Sequence, residues 1–344
     1  MMGAARPAVA RRRRGGGLLA VGVLLAVTLA ACGTSSPNSA SPSTSSVTKP
    51  LDVMPKGAEV VRSSPPPPTE PCNATASLPP PATMPSPGIM PSGSYMAQIL
   101  ARGYLKVGVA QDTYLWGYRD PVTGQLTGFD IDMLQQVAQA IFGSSDQKYI
   151  HYVIVPNADR VQAVESGEVD IVAETMTVNC EREKSVDFST VYYEAGQRIL
   201  VPTNSTITGP QDLGGKRVCA PAGSTSLQNL VATGMPRNIR LWAVNDTTDC
   251  LVMLQQGQVD AISTDDAILL GLAAQDPNTK VVGPTFSSEP YGMAISKAHP
   301  DLTSFVNGVL AQVRSDGTWT QIYDTWLMPY TKTEAPAPPA PSYR

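Results

Sequence analysis

The amino-acid sequence predicts an α/β protein with two lobes, and three observations support this prediction. Strand-like and helix-like patterns alternate along most of the chain, and they do so in two successive series. Each series contains the same phrase, SGEVDIVAETMT at 166–177 and QQGQVDAISTDD at 255–266. Each copy reads as a helix end, a glycine stop and a central strand, one copy in each lobe. The alternative is that helix–glycine–strand units are common and the repetition is accidental.

The ends of the two phrases indicate where a ligand would bind. They read Thr175-Met176-Thr177 in the first copy and Thr264-Asp265-Asp266 in the second. In open α/β sheets, ligands bind beyond the carboxyl ends of the strands. We therefore expect the two tails to meet across a cleft between the lobes.

The first series is predicted from its hydrophobic periodicity. The stretch YLKVGVA alternates like a strand, and the helix that follows Gly128 carries apolar residues at the spacing of one helix face. Gly167 suits the position after a helix, because a positive φ costs glycine little. The predicted strands are 104–110, 151–155 and 169–173. One predicted helix follows Gly128, and a second covers 158–166.

The second series repeats this rhythm, with Gly257 in the position of Gly167. A clean amphipathic pattern near the end of the chain predicts one more helix over 302–313. The predicted strands of this series are 217–220, 239–243 and 259–263, and its predicted helices are 224–231 and 246–256.

The first 31 residues read as a signal peptide. Four consecutive arginines precede an apolar run of 14 residues, which is too short to span a bilayer comfortably. The run ends in LAACG, which resembles the lipobox of bacterial lipoproteins and predicts that Cys32 is lipidated after cleavage. The alternative is ordinary cleavage, with Cys32 an incidental thiol. Removal of residues 1–31, with five arginines and no acids, changes the formal net charge from −4 to −9, which disfavours nucleic-acid binding through phosphate contacts.

Two low-complexity segments flank the predicted lobes. Residues 32–93 are rich in Pro, Ser, Thr and Ala and contain four consecutive prolines at 65–68. Such a composition cannot bury enough apolar surface to offset its ordering entropy, so we predict a semi-extended tether. Residues 331–344 form a shorter Pro- and Ala-rich tail that is predicted to be disordered.

The remaining cysteines predict disulfides. Cys72, Cys180, Cys219 and Cys250 are an even number in an exported chain. A zinc site is disfavoured, because no pair has CxxC spacing and the chain has only two histidines. Three connectivities remain possible. The short intervening loop favours Cys219 with Cys250, which would leave Cys72 to pair with Cys180.

The sequence offers little for catalysis. It contains no GxSxG, no HExxH, no P-loop and no GxGxxG after a strand. Its two histidines, His151 and His299, lie in unrelated contexts, where each is expected to be structural or solvated. A nucleophile–base pair is therefore not expected.

Groups that bind opposite charges are better supplied. The planar fork of Arg182 suits a carboxylate, and Asp265 suits an ammonium group. An α-amino acid carries both charges on one carbon. The loop 223–226 precedes a predicted helix, where free N–H groups favour an anion. The alternatives are a surface ion pair for Arg182, a helix cap for Asp265 and a simple capping loop at 223–226.

The segment TMTVNCEREKSVDFSTVYYEAGQ at 175–197 resembles the signature of the bacterial extracellular solute-binding proteins, family 3. GFDIDM, the TDD tail and EPYGMAIS extend the resemblance over about 94–330. It implies the type II periplasmic-binding-protein-like fold, with two hinge crossovers near 194–197 and 289–292. The implied bounds are 94–196 for the first part of lobe 1, 197–290 for lobe 2 and 291–330 for the return to lobe 1.

The resemblance also implies roles at matching positions. Arg182 would hold the α-carboxylate of the ligand with help from Thr177 and Thr175. Asp265 would hold the α-ammonium group, and Thr225 would contribute from lobe 2. Trp116 and Phe129 would form an apolar wall, with core packing as the alternative for both.

Arg160 bears on ligand choice. It stands where glutamate- and aspartate-binding members carry an arginine for the side-chain carboxylate; the alternative is a solvated helix arginine. Two positions depart from related patterns: Ala110, where acidic binders often have another arginine, and Pro221, where some glutamine binders have a lysine. We expect glutamate or aspartate to bind best, asparagine or glutamine more weakly, and cationic amino acids not at all.

The resemblance implies a binding protein rather than an enzyme. It would be a monomer, lipid-anchored through Cys32 on the outer face of the membrane, without cofactor or metal. It would capture a polar amino acid for an ABC permease or a membrane sensor. The rival prediction is an enzyme on the same fold, similar to a cyclohexadienyl dehydratase.

Overall fold

The structure is a computed structural model that describes residues 53–61, 72–231, 235–236 and 238–344. The predicted signal peptide and the predicted lipidation site, Cys32, lie outside the described residues. Within the described part of the chain, no helix is both long and apolar enough to cross a membrane.

The described residues form eighteen strands and ten α-helices. Up to the first crossover between the lobes the elements are β1 (Glu59–Val61), β2 (Ala76–Ser77), α1 (Tyr95–Arg102), β3 (Leu105–Val109), β4 (Asp112–Thr113), β5 (Gly117–Arg119), β6 (Leu126–Thr127), α2 (Phe129–Phe142), β7 (Ile150–Ile154), α3 (Arg160–Glu165), β8 (Ile171–Val172), α4 (Cys180–Glu183), β9 (Val186–Phe188) and β10 (Tyr193–Ala195). Beyond it they are β11 (Gln197–Pro202), β12 (Arg217–Pro221), α5 (Thr225–Asn229), β13 (Arg240–Val244), α6 (Thr247–Gln255), β14 (Ala261–Asp265), α7 (Asp266–Gln275), β15 (Thr279–Val282), β16 (Glu289–Tyr291), β17 (Ala294–Ser296), α8 (Pro300–Ser315), α9 (Thr318–Trp326), α10 (Met328–Thr331) and β18 (Ser342–Tyr343).

Two sheets form the two lobes. The sheet of lobe 1 has the strand order β7-β3-β8-β17-β9, and the sheet of lobe 2 has the order β1-β13-β12-β14-β11-β15. At the centre of each sheet the pairing is parallel, as the alternation of strands and helices predicts: β3 pairs with β7 and β8, and β12 pairs with β13 and β14. Parallel neighbours place their carboxyl ends at one edge, which faces the other lobe.

The sheets are mixed rather than purely parallel. β17 runs antiparallel to β8 and β9, and β11 runs antiparallel to β14 and β15. β11 follows directly after the chain enters lobe 2, and β17 follows directly after it returns to lobe 1. Neither is preceded by the helical crossover that a parallel connection needs. Between the lobes, β10 and β16 form an antiparallel pair next to both predicted hinges.

The repeated phrase has the predicted local structure in both copies. Gly167 follows α3 with φ +73°, and Gly257 follows α6 with φ +67°, a conformation that glycine adopts without the penalty of a Cβ. A buried strand of the sheet comes next in each copy, β8 in lobe 1 and β14 in lobe 2.

Both disulfides form in the expected pairing. Cys72 is bonded to Cys180, with a Cα–Cα distance of 6.0 Å, and Cys219 is bonded to Cys250, with a Cα–Cα distance of 5.6 Å. The first bond ties the N-terminal segment to α4 of lobe 1, and the second ties β12 to α6 within lobe 2.

Part of the predicted tether, 32–93, is folded onto the lobes, so the prediction is wrong for those residues. β1 adds an antiparallel strand to the edge of lobe 2, with Val60 opposite Trp242. In lobe 1, the side chain of Asn307 donates to the Leu78 carbonyl oxygen at 2.6 Å and to the Ser77 hydroxyl at 2.8 Å. Backbone pairing and a disulfide with distant parts of the chain order this segment, and local composition does not reveal such contacts.

The C-terminal residues 331–344 also differ from the predicted disordered tail. β18 pairs in parallel with β2. Arg344 forms ion pairs with Glu183 at 3.1 Å and with Asp187 at 2.9 Å. The tail is therefore held on lobe 1 by the same N-terminal segment that the Cys72 disulfide fixes there.

Candidate ligand-binding cleft

The two lobes touch along the cleft. The indole Nε1 of Trp116 in lobe 1 donates to the Ala267 carbonyl oxygen in lobe 2 at 3.0 Å. Gly223 of lobe 2 lies against Ala158 of lobe 1 so closely that an added Cβ would sit 2.5 Å from the Ala158 Cα. The structure is thus a closed arrangement of the lobes, and this contact requires glycine at position 223.

The tails of the two repeated phrases converge on β16. Thr177, at the end of the first phrase, forms a backbone bridge with Tyr291 of this strand. The Tyr291 hydroxyl donates to Asp265 Oδ2, at the end of the second phrase, at 2.7 Å. One hinge strand therefore connects both tails, which the sequence predicted to meet across the cleft.

Arg182 lies at the lobe 1 side of the cleft. Its α4 begins with a cap in which Asn179 Oδ1 accepts from the Arg182 N–H at 2.9 Å. The guanidinium donates to the Thr177 carbonyl oxygen at 2.6 Å and, across the cleft, to the Gly223 carbonyl oxygen at 3.2 Å. Burial, and then the charge of Arg160, lower the pKa of Arg182 to about 9, so it remains a cation at neutral pH.

Asp265 faces Arg182 from lobe 2 and is held by two side chains. Its Oδ1 accepts from the Ser226 hydroxyl at 3.1 Å, and its Oδ2 accepts from Tyr291. It occupies the position before α7 but makes no capping hydrogen bond, because Asp266 Oδ1 accepts from the Ala267 N–H instead. Burial, and then the charge of Glu289, raise the pKa of Asp265 to about 8.

Thr225 contributes from the first turn of α5, while Ser224 makes the helix cap by accepting from the Leu227 N–H. The Thr225 hydroxyl donates to Glu289 Oε2 at 2.7 Å, and the Thr177 hydroxyl donates to the same oxygen at 2.7 Å. Glu289 thus joins a threonine of each lobe. Its segment, EPYGMAIS, belongs to the family resemblance and to the predicted hinge, but no sequence pattern indicated Glu289 as a site residue.

Arg160 lies inside the protein rather than on a solvated helix surface. It is 3% exposed, and it donates from Nε to the Asn157 carbonyl oxygen at 3.0 Å and from Nη1 to the Glu174 carbonyl oxygen at 2.8 Å. Burial lowers the pKa of Arg160, and the charges of Glu174 and Asp265 act in the opposite direction. Arg160 therefore interacts with two buried acids, Glu174, directly before the tail of the first phrase, and Asp265, in the tail of the second.

Glu174 is a site residue that the sequence analysis missed. It is 5% exposed, and its Oε2 has no hydrogen-bond partner among the described residues. Burial raises the pKa of Glu174 to about 8, although the charge of Arg160 partly opposes this shift. The available signal was its position, because Glu174 follows the central strand of the first phrase directly before the predicted tail.

Thr175 is held at the bottom of the cleft by its backbone. Its φ is +42°, which a β-branched residue adopts rarely. Its N–H donates to Asp130 Oδ2 at 2.8 Å, and the Tyr192 hydroxyl donates to Asp130 Oδ1 at 2.6 Å. Burial raises the pKa of Asp130 to about 6 in spite of these two hydrogen bonds. The fixed Thr175 sets the direction of the chain between Glu174 and Thr177.

The two aromatic residues predicted as a wall lie in the core of lobe 1. Trp116 and Phe129 are fully buried, with ring centroids 5.1 Å apart. Trp116 also packs edge-on against Tyr291, with ring centroids 5.5 Å apart, and reaches lobe 2 through its hydrogen bond to Ala267. These contacts are core packing, which was the alternative for both residues. Contact of either residue with a ligand stays a prediction.

The cleft holds more acids than arginines. Asp130, Glu174, Asp265 and Glu289 are buried in it, together with Arg160, and Arg182 is half-buried at its side. Such a site suits a ligand that brings both charges, because each buried charge needs a partner. His151 and His299 stack on Tyr104 and Tyr95, and among the described residues no group of three or more His, Cys, Asp or Glu side chains could hold a metal ion.

Comparison with known proteins identifies the family. The chain matches the bacterial extracellular solute-binding proteins, family 3, over residues 105–329. The chain belongs to this family. The match confirms the resemblance and the two-lobe fold class that the sequence predicts.

Three individual proteins illustrate the range of the family. The chain is 37% identical to the ABC transporter glutamine-binding protein GlnH of Bacillus subtilis (strain 168), over 67% of this chain and 84% of GlnH. It is 30% identical to the glutamate-binding protein GluB of Corynebacterium efficiens, over 66% of this chain and 80% of GluB. A solved structure, that of the ancestral amino acid-binding protein AncCDT-1, a precursor of cyclohexadienyl dehydratase, has 31% identity, a TM-score of 0.61 and coverage of 68% of this chain and 99% of its own.

Proposed function

We propose that this family 3 protein binds a polar amino acid outside the cytoplasm and presents it to a membrane protein. One observation carries the proposal: the guanidinium of Arg182 in lobe 1 and the carboxyl group of Asp265 in lobe 2 face one closed cleft. Burial raises the pKa of Asp265 to about 8, and an ammonium group beside it would favour the ionised form. An α-amino acid has a carboxylate and an ammonium group on one carbon, so it matches both side chains at once. Relatives named as glutamine-binding and glutamate-binding proteins support this ligand class.

In this proposal, the α-carboxylate takes hydrogen bonds from Arg182, with Thr177, Thr175 and Thr225 beside it. The hydroxyl groups of Thr177 and Thr225, which donate to Glu289 in this structure, turn to the ligand when it binds. Asp265 accepts from the α-ammonium group. Since Ser226 and Tyr291 already donate to Asp265, its carboxylate is oriented before the ligand arrives. The hydrogen bond from Arg182 to Gly223 forms only when the lobes are closed, so the same arginine would couple binding to closure.

The membrane partner belongs to the same proposal. A lipid on Cys32 would hold a monomeric protein on the outer face of the membrane, and closure would deliver the amino acid to an ABC permease or signal its presence to a sensor. The relative named as part of an ABC transporter supports the first of these partners.

A ligand panel tests the proposal. Thermal unfolding of the protein without residues 1–31 is recorded with each of the twenty common amino acids. A ligand at 100 times its Kd adds about 2.7 kcal/mol to the free energy of unfolding, so a bound amino acid raises Tm measurably. We expect a response to glutamate, aspartate, glutamine or asparagine and none to lysine or arginine. Absence of a response to all twenty would refute the proposal.

A pair of arginine variants locates the site. Arg182→Ala should remove the response to every amino acid, because all of them share the α-carboxylate. Arg240→Ala is the matched control, since its exposed guanidinium only donates to the Gly215 carbonyl oxygen of the same lobe. Equal losses in both variants would show that the effect of Arg182→Ala does not come from the cleft.

An enzyme of the dehydratase type is the second candidate. The likeness to the precursor of cyclohexadienyl dehydratase favours it, and Glu174 is a buried carboxyl group with a pKa near neutrality, as a general acid requires. Incubation with prephenate or arogenate tests it: we expect no turnover, and product formation that Glu174→Gln abolishes would establish the enzyme instead.

A further inference from the structure

Arg160 and Glu174 are fixed beside each other by the backbone. Arg160 is the first residue of α3, and its Nη1 donates to the carbonyl oxygen of Glu174. Glu174 follows β8, and the next residue, Thr175, is held with positive φ by its hydrogen bond to Asp130. The guanidinium of Arg160 is therefore held next to the point where the side chain of Glu174 leaves the backbone.

Both side chains retain groups without a partner. Glu174 Oε2 is buried and accepts no hydrogen bond from the described residues. The hydrogen bonds that the Arg160 side chain makes within the described residues come from Nε and Nη1, so Nη2 keeps its capacity to donate. No ion pair joins the two side chains within the described part of the chain, although their charges interact. Buried polar groups in folded proteins normally have partners, so this pair leaves one acceptor and one donor for a ligand.

We propose that Arg160 and Glu174 form a mixed-charge subsite for the end of the ligand's side chain, one that binds an amide directly and an acid only together with one proton. The inference rests on the proposed function, because it assumes that Arg182 and Asp265 hold the backbone of an amino acid in this cleft.

The chemistry of the two ligand types differs at this subsite. The oxygen of a side-chain amide accepts from Arg160 and its NH₂ group donates to Glu174, so both protein groups are satisfied. A side-chain carboxylate also accepts from Arg160, but it meets the Glu174 carboxylate. One proton shared between the two carboxyl groups removes this repulsion; Glu174 already carries it below its pKa and takes it up from solvent above it, and no other bond forms or breaks.

The surrounding charges do not remove the need for this proton. Arg160 and Arg182 favour ionised Glu174, whereas Asp112 and Asp130 in lobe 1 oppose it. Across the cleft, Asp265 and Glu289 add two more acids, one of which the α-ammonium group of the ligand neutralises. The α-carboxylate of the ligand likewise neutralises Arg182. Glutamate and glutamine have identical backbones, so the ratio of their Kd values reports the subsite alone.

Calorimetry at pH 6 and pH 8 tests the inference on the protein without residues 1–31. If an amide binds ionised Glu174 and an acid binds protonated Glu174, the ratio of the acid Kd to the amide Kd rises by roughly tenfold per pH unit. We therefore expect the Kd ratio of glutamate to glutamine, and of aspartate to asparagine, to rise by about tenfold or more between the two pH values. Titration in buffers of different ionisation enthalpy should show that, at the same pH, binding of the acid takes up about one proton more than binding of the amide.

Glu174→Gln and Glu168→Gln are the matched variants. Glu174→Gln keeps the shape of the side chain and removes the charge, so the Kd ratio should become independent of pH and shift toward the acid by about tenfold or more at pH 8. Glu168→Gln, an exposed position of the same phrase, should behave as the unchanged protein. Each ratio comes from one protein sample, so a change in the folded fraction does not affect it.

The outcomes separate the inference from the proposed function. If no amino acid binds the unchanged protein, both fail. If amino acids bind but the acid-to-amide ratio is the same at both pH values and in Glu174→Gln, only the inference fails. If Glu174→Gln changes the ratio without proton uptake in the unchanged protein, Glu174 does not share a proton and the inference is likewise overturned.

Discussion

The two copies of the repeated phrase follow the same path, and each carries a buried acid near its end in different surroundings. In both, a glycine with positive φ stops a helix and a buried strand leads to a buried carboxylate, Glu174 in lobe 1 and Asp265 in lobe 2. Asp265 accepts hydrogen bonds from Ser226 and Tyr291, whereas Glu174 Oε2 has no partner among the described residues. Local sequence thus determines where each acid stands, and its neighbours determine what the acid can do.

The difference arises just after the strands. In lobe 2, α7 begins directly after Asp265. The hydrogen-bond partners of Asp265 come from α5 and the hinge strand β16. After Glu174 the chain turns through Thr175 and runs on to the tail that Arg182 binds. The partnered acid suits a constant part of every ligand, the α-ammonium group, while the unpartnered acid suits the part that varies between ligands.

The largest expected effect is the loss of binding in Asp265→Asn. Removing one member of a buried charge pair costs about 2–5 kcal/mol, so the Kd of every amino acid should rise at least about thirtyfold. Asp246→Asn, an exposed acid of the same lobe, should leave the Kd unchanged. Isothermal calorimetry with glutamate and glutamine measures both. If Glu174→Gln abolishes all binding as Asp265→Asn does, Glu174 also contacts the constant part of the ligand, and the proposed difference between the two acids is wrong.

Most of the central architecture could be predicted from sequence. The alternating pattern of the two series gave the parallel centres of both sheets, and the two glycine stops were placed correctly, because these features depend on local periodicity and φ preferences. The mixed edges, the folded segments 53–61 and 72–93, and the C-terminal strand β18 depend on contacts with distant residues. No local pattern contains that information.

The residues of the candidate site could be predicted only where the sequence matches motifs of a known family. Arg182, Asp265 and Thr225 lie along the cleft between the lobes, and their contact with a ligand stays a prediction. Glu174 and Glu289 were missed because an acid in a strand end or a hinge has no signature of its own. Their importance follows from burial and from the partners they have or lack, and only the folded chain shows these.

A smaller effect is expected from Arg160→Ala, which removes the cation that interacts with the two acids. The hydrogen bond that a side-chain carboxylate receives is stronger than the one an amide receives, by about 1–2 kcal/mol after desolvation. The Kd values of glutamate and aspartate should therefore rise about five- to thirtyfold more than those of glutamine and asparagine. Calorimetry of this variant gives the ratio directly, and equal losses for acid and amide would mean that Arg160 supports the fold rather than the subsite.

The smallest expected effect is on the pH dependence of stability without ligand. Burial raises the pKa of both Glu174 and Asp265 to about 8, above their ordinary values near 4, so each carboxylate binds a proton more tightly in the closed protein than in the unfolded chain. Stability from these groups is therefore complete below pH 4 and is lost as the pH rises toward 8, with a slope of at most about 1.4 kcal/mol per pH unit for each proton. Opening of the cleft rehydrates both acids and limits the loss.

Thermal unfolding from pH 5 to pH 8 should therefore show a falling Tm that either Glu174→Gln or Asp265→Asn makes less steep. Added glutamine sharpens the comparison, because its ammonium group neutralises Asp265 and its amide donates to ionised Glu174. With saturating glutamine, both groups favour the ionised form, so the slope should become nearly flat. With saturating glutamate, the Glu174 part of the slope should remain, since that complex holds a proton. Identical slopes with the two ligands would show that the two acids respond to ligand in the same way, and the distinction drawn between the two copies would be wrong.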